Sequence, residues 1–343
     1  MPPEIMSENR QSQSVEDLEE EYYQISTDIL QSFNKFRPPL NIFKLKEDVV
    51  RLLPYYKVGD RLSKEQSEEL EALVNEGLIF VSRADQQVYI KHISFQLDLV
   101  LMDRHLTETE IADIFQTALT RRMEEFLDQP VKAVADKLQT DLLVFTEYLW
   151  QDFNRAKALS RRVHPKHTLA NHSVNCGLVG MQLYIQNLPD DFRQGPKSRQ
   201  TFDRVALGFF LHDVGMTKLA QFLRDKTQTL TSEERQKIAK HPLLGAEMLA
   251  KLDLRFPEVE QCVREHHERV GGGGYPQKLS GADISDLGLL CGLVDSFCAM
   301  LTERPYAKAM APMAAAAALG GDSKYDPKYS KQLTQYLVNT RQM

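Results

Sequence analysis

The first third of the chain alternates short apolar runs with polar turns, after a polar stretch over 1–20 that predicts a disordered tail. Ser63 and Gln66 have the spacing of a capping box, and Gly77 stands where the helix they begin would end. Strands are predicted over 42–45, 48–53, 78–81 and 88–90, with a turn at 57–60. Residues 21–105 are therefore expected to form a small α+β domain, which we interpret as regulatory or sensory.

Between about 106 and 162 the apolar residues recur every three or four positions, which is typical of amphipathic helices. Pro130 interrupts this pattern, so at least two helices are predicted. The segment is either a connector that packs on its neighbours or a helical element that transmits a signal or mediates dimerisation. The apolar heptad is not sustained, which favours the connector.

From 163 to 343 the pattern is almost entirely helical. Thr231 and Glu234 form a second capping-box spacing, at the start of a helix that runs toward His241. Because Pro242 pushes the residue before it out of the α region, His241 is expected at a helix end. An Ala-rich helix is predicted over 310–319. The fold class is therefore mainly α, with an all-α C-terminal half preceded by the small α+β domain.

Composition and charge narrow the function classes. The chain of 343 residues carries a net charge of −6, so it lacks the basic excess that marks a binder of nucleic-acid polymers. No apolar run approaches the roughly 18 residues that span a membrane, and the polar, acidic N-terminus does not resemble a signal peptide. The four cysteines include no CxxC pair, which indicates buried thiols in a reducing compartment. We therefore expect a cytoplasmic protein without a membrane partner.

Histidines supply the candidate chemistry, because seven of the nine fall within about a third of the chain. His212 is followed by Asp213, and His266 by His267. A lone histidine is more often a core or surface residue, but a set with two such pairs indicates a metal site. Imidazole suits iron, manganese, zinc or nickel, and a carboxylate between two sets of imidazoles can bridge two cations. Two metal ions about 3.5–4 Å apart can clamp a phosphate and activate a water.

Several segments together carry a resemblance to a known family. They are Leu211-His212-Asp213-Val214-Gly215, His241-Pro242-x-x-Gly245, His266-His267-Glu268-Arg269-x-x-Gly272-x-Gly274-Tyr275-Pro276, Val294-Asp295-x-Phe297, Arg304-Pro305-Tyr306 and Asp326-Pro327. In order and spacing, over about 160–335, they resemble the HD-GYP family of the HD phosphohydrolase superfamily. The resemblance implies a helical-bundle domain over 163–343 that hydrolyses cyclic di-GMP to the linear dinucleotide pGpG, and in some members on to GMP.

Position by position, the resemblance implies a binuclear metal centre. One ion would be held by His172, His212, Asp213 and Asp295, and the second by Asp213, His241, His266 and His267. Asp213 is thus the implied catalytic residue, as the carboxylate that both ions share, with a hydroxide between them attacking phosphorus. Iron or manganese is expected, with zinc or nickel as alternatives. His164 and His167 precede the family's first histidine and are interpreted as solvated residues outside the set.

Substrate contacts are implied in two loops. Gly274, Tyr275 and Pro276 follow the paired histidines, where bare backbone can approach a nucleotide and the tyrosine can offer a ring edge or a hydroxyl. Arg304 can bind a phosphate bidentately, and Lys308 follows it. The alternatives are a flexible glycine loop and an ordinary surface salt bridge at Arg304.

The chain departs from the family pattern at five positions. Met216 stands where the family usually has a lysine, Gly271 where an aspartate is common, and Cys298 in place of a second aspartate. Ala307 replaces a basic residue, and Thr168 stands where members with three metals carry a glutamate, which favours two metals here. None of these changes removes an implied metal ligand.

The function predicted is that of a metal-dependent phosphodiesterase acting on cyclic di-GMP. One alternative is a poorly active domain that serves as a metal-loaded cyclic di-GMP sensor or interaction module for signalling proteins. Another is a phosphohydrolase of the wider superfamily with a different nucleotide substrate, against which Tyr275 and Arg304 argue. The oligomeric state, with a homodimer as one option, is left open.

Overall fold

A computed structural model describes residues 21–25, 27–49, 51–85, 88, 97–101, 106–224, 226, 228–304 and 307–340. The tail expected at 1–20, most of the strand expected at 88–90, and the last two residues of the Arg-Pro-Tyr run lie outside these ranges. The chain divides into two compact units, Met1–Glu110 and Ile111–Met343.

The first unit contains a four-stranded antiparallel sheet in the order β1-β4-β2-β3. Its strands are β1 Tyr22–Gln24, β2 Ile42–Lys46, β3 Arg51–Tyr56 and β4 Ile79–Ser82. The strand expected at 48–53 is displaced, because Glu47–Val49 form a 3-10 turn and β3 continues through Pro54. Proline is tolerated there since β3 lies at an edge of the described sheet, where one side of the strand has no ladder to interrupt.

Two helices accompany the sheet, α1 Thr27–Ser32 and α2 Lys64–Asn75. The capping box predicted at the start of α2 is confirmed. The Gln66 amide donates to the Ser63 hydroxyl at 3.1 Å, and the Ser63 amide donates to Gln66 Oε1 at 2.9 Å. Buried apolar side chains of α1 and the sheet form the core of this unit, among them Ile29, Ile42 and Val81.

Two long helices come next in the chain, α3 Glu108–Asp128 and α4 Lys132–Gln151. Their separation around Pro130 confirms the predicted interruption. The ring of Phe145 on α4 packs edge-on against Phe115 of α3 and against Phe210, with centroids 5.6 Å apart in both pairs. The segment is therefore packed on its neighbours through aromatic side chains.

The remainder of the second unit is a helical bundle. Its helices are α5 Ala156–Leu159, α6 Leu169–Ile185, α7 Ser198–Leu211, α8 Gln221–Arg224, α9 Ser232–Ile238, α10 His241–Lys251, α11 Pro257–Glu265, α12 Asp286–Leu301, α13 Pro312–Gly320 and α14 Pro327–Thr340. Helices α6 and α11 each pack against both α7 and α12. The 3-10 turn Val214–Lys218, which follows α7, packs against α10.

The capping box predicted at the start of α9 is confirmed, because the Glu234 amide donates to the Thr231 hydroxyl at 3.2 Å and the Thr231 amide to Glu234 Oε2 at 2.8 Å. The helix expected at 310–319 begins at Pro312 instead, since proline is favoured in the first turn of a helix. The mainly α class with a small α+β unit is confirmed. No helix in the described ranges has the length and apolar character to cross a membrane.

Candidate metal centre

Seven polar side chains from several helix ends converge inside the helical bundle. His172 lies in the first turn of α6, His212 and Asp213 directly follow α7, His241 begins α10, His266 and His267 directly follow α11, and Asp295 lies within α12. These are the seven residues that the sequence analysis assigned to metal binding, and the structure places all of them in one cluster.

Asp213 is surrounded by histidines. Its Oδ1 lies 3.1 Å from His241 Nε2 and 3.8 Å from His266 Nε2. One ligand atom from each of Asp213, His241, His266 and His267 lies within 4.8 Å of the others. Because metal–nitrogen and metal–oxygen bonds are about 2.0–2.2 Å long, atoms with this spacing can share one ion.

Asp295 connects a second set of histidines to the first. Its Oδ1 lies 3.0 Å from His172 Nε2 and 4.0 Å from His212 Nε2, and its Oδ2 lies 3.8 Å from His267 Nδ1. Asp295 therefore contacts or approaches implied ligands of both ions. The assignment of the shared carboxylate to Asp213 stays a prediction.

Hydrogen bonds to the main chain orient three of the imidazoles. His212 Nδ1 donates to the Phe209 carbonyl at 2.9 Å, His241 Nδ1 to the Ile238 carbonyl at 2.7 Å, and His266 Nδ1 to the Cys262 carbonyl at 3.0 Å. A carbonyl oxygen can only accept, so the proton of each neutral ring is assigned to Nδ1. Each Nε2 then presents a lone pair to the centre, as a metal-ligating histidine does.

The close approach of two of these Nε2 atoms indicates that the cluster fits a cation. His241 Nε2 and His266 Nε2 lie 3.0 Å apart, a distance at which two lone pairs repel each other unless a positive charge lies beside them. His212 Nε2 is buried and has no hydrogen-bond partner among the described residues. Buried nitrogen atoms of this kind normally have a partner. The donor set therefore fits a bound metal ion.

Electrostatics keep the two carboxylates ionised. Burial on its own would raise the pKa of Asp213, but His241 and the other nearby imidazoles hold this pKa well below its usual value. The pKa of Asp295 is lowered in the same way, against the effect of burial, by its hydrogen bond with His172 and by the neighbouring His267. Both side chains are thus available as anionic ligands.

Burial favours the neutral form of most of the histidines. It lowers the pKa of His266 well below the usual value and that of His267 to about 3. His241 differs, because its contact with Asp213 outweighs burial and raises its pKa. Neutral imidazole is the form that binds metal, so binding at His241 competes with a proton more than it does at His266.

Cys176 was missed by the sequence analysis. It lies one helical turn after His172, with its Sγ 3.7 Å from His172 Nε2, and the two residues form a close group of ligand atoms with His212. The spacing of four residues on a predicted helix was the available signal. Burial and the neighbouring Cys298 raise the pKa of the Cys176 thiol well above its usual value, so we interpret it as a neutral thiol packed beside the histidines.

The loop after α11 places Tyr275 over the cluster. The Tyr275 ring lies 4.6 Å from the His267 ring between centroids, and the Tyr275 amide donates to the His267 carbonyl at 3.1 Å. A β-carbon on Gly274 would lie 2.5 Å from both the Glu268 α-carbon and the His267 carbonyl oxygen. Gly274 is therefore required by this turn, whatever it contributes to substrate binding. Pro276, which directly follows Tyr275, is partly buried.

Glu268 is a second residue that the sequence analysis missed as part of the site. It is buried, and its carboxylate accepts hydrogen bonds from the amides of Gln277 at 2.7 Å and Leu279 at 2.9 Å. These bonds tie the residues after the tyrosine back to the paired histidines. The position of Glu268 directly after the paired histidines was the only signal in the sequence for this role.

The remaining candidate residues lie farther along the chain. Arg304 is partly buried and Lys308 is exposed. His167 lies beside the cluster, with its ring centroid 5.7 Å from that of His172. The interpretation of His164 as a solvated residue is wrong, because this side chain is partly buried and its Nε2 lies 2.7 Å from the Thr120 hydroxyl.

Comparisons with known proteins show which families and structures this chain resembles. The family described as HD domain matches residues 193–329. A cyclic di-GMP phosphodiesterase response regulator, RpfG of Xanthomonas campestris, is 36% identical over 110 residues, which are 32% of this chain and 29% of that protein. A cyclic di-GMP phosphodiesterase of Thermotoga maritima is 33% identical over 97 residues, 28% of this chain and 26% of that one.

A third relative is named a 3'3'-cGAMP-specific phosphodiesterase, from Vibrio cholerae, and is 32% identical over 110 residues, 32% of this chain and 24% of that protein. The chain thus spans between 24% and 29% of the length of these curated relatives. Among solved structures, Bd1817, described as a HDG"Y"P protein from Bdellovibrio bacteriovorus, is similar with a TM-score of 0.58 and 18% identity, over 92% of this chain and 99% of that one. This likeness concerns the fold.

Proposed function

We propose that this chain is a member of the HD-GYP family and a metal-dependent phosphodiesterase that hydrolyses cyclic di-GMP to pGpG. The observation that carries the proposal is the cluster itself. Imidazole nitrogens and anionic carboxylates face one another in a buried centre, with His241 Nε2 and His266 Nε2 only 3.0 Å apart. Such a donor set suits a pair of divalent cations, and paired cations suit phosphoryl transfer.

The residues of the cluster would bind two metal ions. His172, His212, Asp213 and Asp295 would hold one ion, and His241, His266 and His267 would hold the second together with the shared Asp213. When bound, two such ions lower the pKa of a water and neutralise charge on the phosphate. Main-chain carbonyls keep Nε2 of His212, His241 and His266 directed at the ions, as described above.

The substrate would be held by side chains at the rim of the centre. Tyr275, whose ring lies tilted against that of His267, would present its face or hydroxyl to the nucleotide. Arg304 would contact a phosphate through its guanidinium, which matches phosphate geometry in a bidentate way. Burial raises the pKa of Tyr275, so its hydroxyl remains a neutral hydrogen-bond donor at every pH of interest.

The direct test is metal content and product analysis after anaerobic purification. The manganese- or iron-loaded protein is incubated with cyclic di-GMP and, separately, with 3'3'-cGAMP, and the products are separated by chromatography. We expect about two metal ions per chain and conversion of cyclic di-GMP to pGpG, abolished by a chelator and restored by metal. Cleavage of 3'3'-cGAMP alone would correct the substrate, and no cleavage of either would refute the activity.

A second candidate function is a cyclic di-GMP sensor with little turnover. It is favoured by Met216, an uncharged side chain three residues after Asp213, at the position where the family usually has a lysine. The Met216 amide donates to the Asp213 carbonyl at 2.9 Å, which holds this residue beside the centre. Lys218 ends the same turn and is exposed. Saturable binding of cyclic di-GMP by the metal-loaded protein without measurable product would favour the sensor over the enzyme.

A further inference from the structure

The segment just before α6 is held in place from two sides. Lys166 forms a parallel bridge with Glu303, and the Glu303 amide donates to the Pro165 carbonyl at 2.9 Å. The Lys166 carbonyl in turn accepts from Asn171 Nδ2 at 3.0 Å, which ties the segment to the first turn of α6. These bonds define where His167, the next residue, is presented.

The same bridge makes His167 and Arg304 neighbours. Each directly follows one of the two bridged residues, and consecutive side chains in extended backbone point to opposite faces. His167 and Arg304 therefore share the face opposite to Lys166 and Glu303. Arg304 is itself held by a reciprocal pair of main-chain hydrogen bonds with Ala307, at 2.9 and 3.1 Å.

This shared face is directed at the metal centre. The His167 ring lies 5.7 Å from the His172 ring between centroids. Partial desolvation and the charge of Arg304 lower the pKa of His167 to about 4, while the charges of Asp213 and Asp295 act on it in the opposite direction. His167 is nevertheless absent from the described groups whose ligand atoms could share an ion, and it remains exposed. It thus stands beside the centre and is exposed to solvent.

We propose that His167 and Arg304 together form a binding site for the oxygens of a phosphate that enters on the His172 and Asp295 side of the centre. Arg304 supplies a permanent positive charge, and His167 donates one hydrogen bond from its ring, which a neutral imidazole can do as well as a charged one. The proposal rests on the proposed function only in taking a phosphate ester as the ligand. It makes His167 a substrate-binding residue outside the metal ligands.

The probe is inorganic phosphate, titrated calorimetrically into the manganese-loaded full chain. We expect His167→Ala to weaken phosphate binding about threefold to tenfold, the usual range for one hydrogen bond, and His167→Gln, which keeps a donor, to recover part of the loss. Arg304→Ala should weaken binding more, and the double variant should lose less than the product of the two effects. Lys166→Gln is the matched control, because it removes a neighbouring charge from the other face and should leave the affinity unchanged.

Metal content and steady-state kinetics complete the test. Manganese stoichiometry should be the same in wild type and His167→Ala, and KM for cyclic di-GMP should rise more than kcat falls. Unchanged phosphate affinity in His167→Ala, loss of metal from it, or a wild type that binds no phosphate would each overturn the proposal. A wild type that binds phosphate through His167 but cleaves no cyclic dinucleotide would refute the proposed function and leave this inference standing.

Discussion

Gly215 lies directly against the main chain of His241. A β-carbon on Gly215 would stand 1.9 Å from the His241 carbonyl oxygen and 2.6 Å from the backbone nitrogen of Gly245. This contact seats the turn that follows Asp213 against the first turn of α10. It therefore sets the separation between a carboxylate and an imidazole of the metal centre.

We expect Gly215→Ala to lower the free energy of unfolding by about 2–3 kcal/mol and to reduce bound metal, because both obstructing atoms belong to backbone and cannot swing away. Gly273→Ala is the control, since no heavy atom lies within 4 Å of the position of its β-carbon. That variant should stay within about 0.5 kcal/mol of wild type. Urea unfolding and metal analysis measure both, and equal stability of the two variants would contradict the assigned contact.

Asp213→Ala should reduce metal from about two ions per chain to less than one. The reason is that Asp213 Oδ1 lies within 4 Å of two imidazole nitrogens, so its loss removes a negative charge from the middle of the donor set. Asp322→Ala, which removes a partly exposed carboxylate near Lys324, is the control and should keep full occupancy. The check is elemental analysis after anaerobic purification. Full occupancy in Asp213→Ala would rule out its role as a shared ligand.

Tyr275→Ala should weaken binding of cyclic di-GMP by roughly tenfold or more while leaving metal content intact, because the ring lies over His267 without being a ligand. Tyr275→Phe keeps the ring and removes the hydroxyl, so it separates stacking from hydrogen bonding. If Tyr275→Phe binds like wild type, the ring face is what the nucleotide contacts. Isothermal titration gives the affinities, and wild-type affinity in Tyr275→Ala would exclude the contact.

Met216→Lys should raise turnover of cyclic di-GMP with little change in affinity, because an ammonium near a phosphate oxygen stabilises most where charge develops. Met216 is partly buried, so the new charge is also expected to lower the melting temperature. Steady-state kinetics and thermal unfolding measure the two effects. A wild type that is already fast, with no gain in the variant, would remove the main support for the sensor.

The partial burial of His164 predicts that the free energy of unfolding depends on pH. Burial lowers its pKa in the folded chain below the value of about 6.5 that it has when unfolded. On acidification the unfolded chain therefore takes up the proton first, so the stabilising contribution present above pH 6.5 is lost as the pH falls. In metal-free protein, His164→Gln should lose less stability than wild type between pH 7 and 5. The free energy of unfolding of both proteins is measured by urea unfolding at each pH. An equal loss of this free energy in His164→Gln and in wild type between pH 7 and 5 would contradict the prediction.

Much of the fold could be predicted from the sequence because its signals are local. Both capping boxes involve hydrogen bonds between residues three apart, and Pro130 separates the two helices on either side of it in the chain. The start of β3 was misplaced because strand register depends on the partner strand β2, which the sequence of β3 alone does not specify.

The seven clustered residues could be singled out from the sequence because the family motifs mark them even though they are distant in the chain. What spacing could not specify is how the residues meet. Three relationships arise from how the helices pack. Asp295 lies between His172 and His267, the Cys176 thiol lies beside the clustered histidines, and His164 contacts Thr120. Such relationships require the tertiary structure.

The hydrogen bonds that orient His212, His241 and His266 have a consequence for how the chain tolerates mutation. Their acceptors are main-chain carbonyls at helix ends, and every amino acid supplies that group. Random substitution at Phe209, Ile238 or another acceptor position therefore cannot delete the acceptor unless it unwinds the helix. Where a metal site relies on side-chain acceptors, a single substitution can disorient an imidazole. Here the orientation of these three imidazoles is kept as long as the helices themselves form.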